Sequence, residues 1–199
     1  MVFLLKGLLI GFSIAAPVGP IGVLCIRRTI SNGRMAGFLS GLGAATADAF
    51  YGAIAVFGLT VISTFLITYH VWIQAVGGFF LLYLGIKTLI SKSAIESTEV
   101  KKSNIGFYGS TFFLTITNPM TILSFVAVFA GLGLANATYN FSVSVLTVLG
   151  VFIGSSIWWF ILSAGVGLLK NKFNTKGLRI VDVLAGLIII GFAILALTK

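Results

Sequence analysis

Six long apolar runs separated by short polar turns constrain this chain more than any other feature. They lie at about Val2–Ile26, Met35–Phe65, Val71–Ile90, Ile105–Gly133 and Phe141–Leu169, with a sixth that follows a basic turn and ends at Thr198. Each is near the ~20 residues that a helix needs to cross a bilayer. Only 9% of the residues are charged and 58% are hydrophobic, where a soluble domain carries roughly 25% charged residues. The expected fold class is therefore an all-α membrane protein with six transmembrane helices. Residues 1–16 are read as the start of the first span rather than as a cleaved leader, because Lys6, Gly7 and Gly11 interrupt the run.

The charges fall where a membrane topology needs them. All thirteen basic residues except Lys6 and Lys199 sit in or beside the turns after spans one, three and five. These are Arg27, Arg28 and Arg34; Lys87, Lys92, Lys101 and Lys102; and Lys170, Lys172, Lys176 and Arg179. The turns after spans two and four hold none. By the positive-inside rule the three basic turns face the cytoplasm and both termini face outside. The net charge of +9 is then a matter of topology and anionic lipid headgroups, and implies no nucleic-acid partner.

Proline punctuates the first and fourth spans. Pro17 and Pro20 bracket Gly19 within GFSIAAPVGPIGVL, and Pro119 follows Asn118 in FLTITNPMTIL. Proline removes a backbone donor and clashes with the carbonyl four residues back, so helices one and four are expected to be broken near mid-membrane. Broken backbone in lipid survives only where protein buries it or it lines a cavity. The second half aligns with the first so that Pro119 matches Pro20, Asn118 matches Gly19 and Gly106 matches Gly7. Gly41-Leu42-Gly43 aligns with Leu149-Gly150, which places Asp48 opposite Ser155 and Tyr51 opposite Trp158. Three spans per half means opposite insertion, the inverted repeat common among secondary transporters. Residues 1–90 form the first three-helix repeat, 91–104 a cytoplasmic connector, and 105–199 the second repeat.

Asp48 is the carboxylate expected deep in the membrane, since Glu96 and Glu99 lie in the connector and Asp182 near a helix end. Such a group costs about 2.5–3.5 kcal/mol at a helix centre and marks ion or proton sites. It either couples protons or faces a cationic group of the solute; the structural alternative is a bond to Thr46 or to another helix. Tyr51, one turn on, can face the same side and bond it or close a gate. Thr117 and Asn118 offer donors and acceptors at the second break, either to a solute or to the carbonyls that Pro119 frees. Ser155, Ser156, Trp158 and Trp159 are further candidates for the pocket wall, the tryptophans by cation–π contact or as packing and interface anchors. Gly33, Gly37 and Gly41, and Gly7 and Gly11, have the small-residue spacing that lets helices approach, within the chain or in a dimer. Arg27 and Arg28 are read as fixing topology, and His70 as solvated. One cysteine, Cys25, excludes internal disulfides and cysteine-cluster metal sites. No nucleophile-elbow, zincin or P-loop pattern occurs, so neither enzyme chemistry, nor a metal or cofactor, nor ATP drive is expected.

GFSIAAPVGPIGVL, then RRTISNGRMAGFLSGLGAATAD, then TNPMTILSF in the second half, resemble the LysE/RhtB-type amino acid exporter family over nearly the whole chain. The resemblance implies a small protein of the bacterial inner (plasma) membrane. It would export amino acids or closely related metabolites, driven by the proton motive force as an antiporter, with paired subunits forming a homodimer. Carried over by motif, the functional positions are Pro17, Gly19, Pro20, Asp48, Asn118 and Pro119. Metal-ion and thiol-electron carriers of the wider superfamily would need cysteines and further intramembrane acids that this chain lacks. The alternative function is a passive channel or facilitator for an ion or small solute; a membrane enzyme or structural subunit is the reading from another class. The topology is checked with alkaline phosphatase fusions: active after Lys199, inactive after Lys92. The reverse pattern would invert the assignment.

Overall fold

The computed structural model describes residues 2–17, 19–57, 68–90, 104–118, 121, 124–125, 140–169 and 175–198. Their regular elements are all helices: α1 (Val2–Ala15), α2 (Pro20–Asn32), α3 (Arg34–Val56), α4 (His70–Ile90), α5 (Asn104–Ile116), α6 (Phe141–Leu169) and α7 (Thr175–Thr198). Pro119, residues 91–103 of the connector and the expected turn around Asn136 lie outside the described residues. Among the described residues α3 and α6 are each long and apolar enough to cross a membrane. The α1–α2 pair makes a third candidate span if it is taken as one helix bent by 81°.

Local chemistry accounts for the helix ends around the first motif. α1 stops two residues before Pro17. Pro20 opens α2 at a position where a helix does not use the missing N–H. Gly19, at φ −102°, precedes it without a side-chain cap. The end of α2 corrects the sequence expectation. The sequence places a turn over Arg27–Arg34, yet α2 continues through Arg27 and Arg28 to Asn32, because no helix breaker intervenes before Gly33. Gly33 has φ +94°, which L side chains rarely adopt. Its N–H donates to the Thr29 carbonyl at 3.0 Å, and α3 starts at the next residue. The expected basic turn Lys170–Arg179 shortens in the same way, since α7 begins at Thr175.

Glycine decides how closely the helices approach. A Cβ on Gly7 or Gly11 of α1 would meet the backbone of Thr147, Gly150 or Val151 on α6. One on Gly150 or Gly154 would meet the backbone of Leu4 or Leu8. Gly43 of α3 lies likewise against the Tyr108 carbonyl and Phe112 amide of α5. Gly37 receives the Thr29 side chain and Cys25 carbonyl of α2, and Gly41 receives the Trp159 ring. The small-residue spacings at Gly7–Gly11 and Gly37–Gly41 thus serve packing within the chain. In lipid, where burial of apolar surface gives no drive, such close packing is what holds helices together. α3 is the central element, packed on α2, α5 and α6, while α4 pairs with α7. Leu5 and Leu9 of α1, Phe79 and Tyr83 of α4, and Leu184 and Leu187 of α7 face outward and are exposed, as lipid-facing residues should be.

The α1–α6 seam makes a stability prediction. Gly150→Leu drives a side chain into the α1 backbone and should cost about 1–3 kcal/mol or more, the range for overpacking, read as a lower melting temperature in detergent. Gly191→Leu, where a Cβ meets nothing within 4 Å, should leave the melt unchanged. Equal effects at both positions would contradict the seam.

Candidate functional site

A cavity of about 230 Å³ opens where α1 stops and α2 starts. Its wall includes Ile14, Pro17, Gly19, Pro20 and Ile21 from the first motif, Ala44 and Asp48 from α3, and Thr115 and Asn118 from the end of α5. Ala15, Gly22, Thr121, Ser124, Trp159 and Phe192 complete it. Two regions distant in sequence, each flanking a proline, therefore share one chamber with the buried acid.

Small residues set Asp48 where it is. Ala44, Ala45 and Ala47 are at most 1% exposed and let neighbours crowd α3 from several sides. Asp48 is 3% exposed, and its short side chain cannot snorkel to an interface as lysine can. Ser155 Oγ on α6 donates to Asp48 Oδ2 at 2.7 Å. Trp159 Nε1, one turn on, donates to Ser155 Oγ at 3.1 Å. The two donors form a relay that ends on the carboxylate. Thr46 takes no part, since its hydroxyl donates to the Leu42 carbonyl and accepts from Tyr108. A carboxylate on a cavity wall, steadied by one hydroxyl, can carry a proton or face a cation.

At the second motif, Asn118 Nδ2 donates to Thr121 Oγ1 at 3.0 Å. The Asn118 N–H donates to the Thr115 carbonyl at 3.2 Å, which is the carbonyl that a proline at 119 leaves without its helical donor. Thr117 bonds the Phe113 carbonyl of its own helix at 2.8 Å. The Thr117 carbonyl lies against Gly77 of α4.

The remaining candidates, Tyr51, Thr117, Ser155 and Trp158, are not on the wall of this chamber. Tyr51 donates its hydroxyl to the Ile116 carbonyl, tying α3 to the end of α5, and its ring packs against Phe125 at 5.7 Å. Trp158 packs edge-on against Phe12 of α1 at 5.4 Å, and the neighbouring Trp159 faces the cavity. Ser155 stands behind Asp48. Pro119 lies outside the described residues.

Sequence reasoning passed over Arg28. The sequence explains it by topology alone, yet its side chain is buried between α2, α3 and α5. Nη1 donates to Ser40 Oγ, the Phe107 carbonyl and Thr111 Oγ1 at 2.9, 2.9 and 2.7 Å. Nη2 donates to Ser110 Oγ at 2.8 Å, and the Phe107 ring lies 5.4 Å away. Its neighbours Arg27 and Arg34 supplied a sufficient topological reason for a cation there, so the sequence carried no separate signal. Among the described residues no group of three or more His, Cys, Asp or Glu could hold a metal.

Residues 12–199 match the family model described as LysE type translocator. YcgF of Bacillus subtilis (strain 168), proposed to be an amino acid efflux protein, is 32% identical over 94% of this chain and 92% of its own length. The uncharacterized membrane protein YrhP of the same organism is 27% identical over 86% of this chain and 87% of its own. A leucine efflux protein of Salmonella choleraesuis (strain SC-B67) is 27% identical over 56% of this chain and 54% of its own. No solved structure matches. Because the LysE type translocator model matches residues 12–199, nearly the whole chain, this chain belongs to the LysE type translocator family.

Proposed function

We propose that this protein exports amino acids across the bacterial inner membrane in exchange for protons. The observation that carries the reading is the cavity in which Pro17, Gly19 and Pro20, Asp48 and Asn118 meet. The efflux named for two relatives supports an amino acid as the solute. At about 230 Å³ the chamber is smaller than the 300–1,000 Å³ typical of drug-sized ligands, which suits a small metabolite. The first turn of α2 has no side-chain cap at Gly19, so its positive dipole end adds polar character to an otherwise largely apolar chamber. Asp48 then faces either a proton or the ammonium, and Ile14, Ile21 and Phe192 offer apolar wall to a side chain.

The same reading takes α1 and α2 as one broken span and the two halves as inverted copies. Two alike contacts support it. Gly43 of α3 sits against a carbonyl and the amide four residues later on α5, and Gly150 of α6 does so on α1. These glycines are the ones that the sequence repeat aligns. One half rocks against the other to switch access, with both termini outside. A solute bound equally in both orientations biases nothing, so proton occupancy of Asp48 supplies the bias.

The test is a flux measurement in liposomes loaded with labelled leucine and other amino acids, with an inward proton gradient imposed. Wild type should drive at least one amino acid out against its gradient. Asp48→Asn should lose uphill efflux and keep exchange. Ser155→Ala, which removes a donor worth about 1.5–3 kcal/mol to a charged acceptor, should lower uphill efflux roughly tenfold without changing which solute moves. If wild type merely equilibrates the solute, the passive facilitator takes the place of the antiporter.

A further inference from the structure

Arg28 carries a charge that the cavity leaves unexplained. It is 9% exposed and sits one helical turn beyond the cavity wall. Its partners Ser40 and Thr111 each precede by four residues a wall residue, Ala44 and Thr115. Arginine keeps its proton in proteins, and a buried charge is ordinarily paired. Among the described residues Arg28 makes no ion pair. Asp48 is two turns along α3 from Ser40 and bonded to Ser155; Glu96, Glu99 and the Asp182 side chain lie outside the described residues.

Its acceptors are all neutral, and their other bonds are telling. Ser40, Ser110 and Thr111 each donate their own proton to the carbonyl four residues back, at 2.8, 2.6 and 3.0 Å. They use only lone pairs on the guanidinium, so none is left with an unsatisfied donor if Arg28 departs. The cost of departure falls on the guanidinium alone, and an incoming anion offsets it.

We propose that Arg28, one helical turn beyond the cavity wall, is a carboxylate-binding residue, held by neutral oxygens in this structure and taken over by the carboxylate of the transported solute. The proposal rests on the amino acid reading above and assigns one group of that solute to one side chain. A carboxylate meets the guanidinium fork through two parallel charge-assisted bonds, roughly twice as strong as bonds to neutral acceptors. The exchange also unties α2 from α3 and α5, because Arg28 is what bonds the three helices at this level. Solute entry and loosening of α2 are then one event, and a solute without a carboxylate cannot trigger it.

Cys25 reports on that event. It is the single cysteine of the chain, lies three residues before Arg28 on α2, and is 1% exposed, with its carbonyl against the α3 glycine Gly37. Purified wild-type protein is treated with N-ethylmaleimide, alone and with leucine or leucinol, which differ at the carboxylate. Leucine should speed Cys25 labelling about tenfold, in line with a shift between two states by differential binding, and leucinol should not. In liposomes Arg28→Gln should raise the leucine KM about tenfold to hundredfold with a smaller change in the maximal rate. Arg28→Lys, which keeps the charge and loses the fork, should fall between. If leucine is exported by wild type yet leaves labelling unchanged, or if leucinol acts as leucine does, the Arg28 assignment is overturned and the exporter stands. If wild type moves no amino acid of the panel, the exporter reading fails first and this proposal falls with it. The labelling arm needs no variant, so a misfolded Arg28→Gln does not rescue the idea.

Discussion

A bilayer core gives the backbone no hydrogen-bond partner, and Pro17 and Pro20 each remove a donor where the first span should be continuous. What the chain does about that shapes the rest of the structure. The break between α1 and α2 opens on the cavity, and α6 packs at very close range on the α1 segment that precedes it, since a Cβ on Gly7 or Gly11 would meet the backbone of Thr147, Gly150 or Val151. That seam fixes α6, and the same stretch of α6 then presents Ser155 to Asp48 and Trp159 to the cavity. The helix on one side of the break thus packs against α6, and α6 shapes the surroundings of an acid on a third helix.

Two buried ionisable groups of opposite sign follow a common logic. Asp48 and Arg28 are each satisfied by hydroxyls and carbonyls rather than by one another. Direct pairing inside the bundle would be strong and hard to break, and would leave neither group for a solute. Kept apart, Arg28 on α2 and Asp48 on α3 each rest among neutral partners. Under the proposals made above, a zwitterion complements both ends of this arrangement, and its passage changes the partners of each in turn.

Much of this was legible before any coordinates. Asp48 stood out because a carboxylate in an apolar run is costly wherever its helix turns. The proline motifs stood out because a missing N–H is a local fact. The repeat alignment set Asp48 opposite Ser155, and the two side chains do meet, although equivalence in a repeat does not by itself imply contact. Other features were silent. Trp158 and Trp159 are adjacent and chemically identical, and which of them faces the cavity depends on the rotation of α6 about its axis. A helix that is apolar all round carries no amphipathic signal of that rotation. Arg28 was hidden by its neighbours, because a cation near the end of a span already has a topological explanation.

The amino-acid sequence by itself determined a chain of apolar membrane helices, the proline motif that separates α1 from α2 and the presence of a costly acid. These depend on one residue at a time, set against lipid or against its own backbone. The tertiary structure alone decided that the two motif regions share a chamber, that Ser155 and Trp159 serve Asp48, and that Arg28 is buried among neutral oxygens while Arg34 on the next helix is exposed. Those outcomes depend on helix rotation and on approach distances set by glycines whose partners lie as far away as α1 is from α6. No single position encodes a distance of that kind.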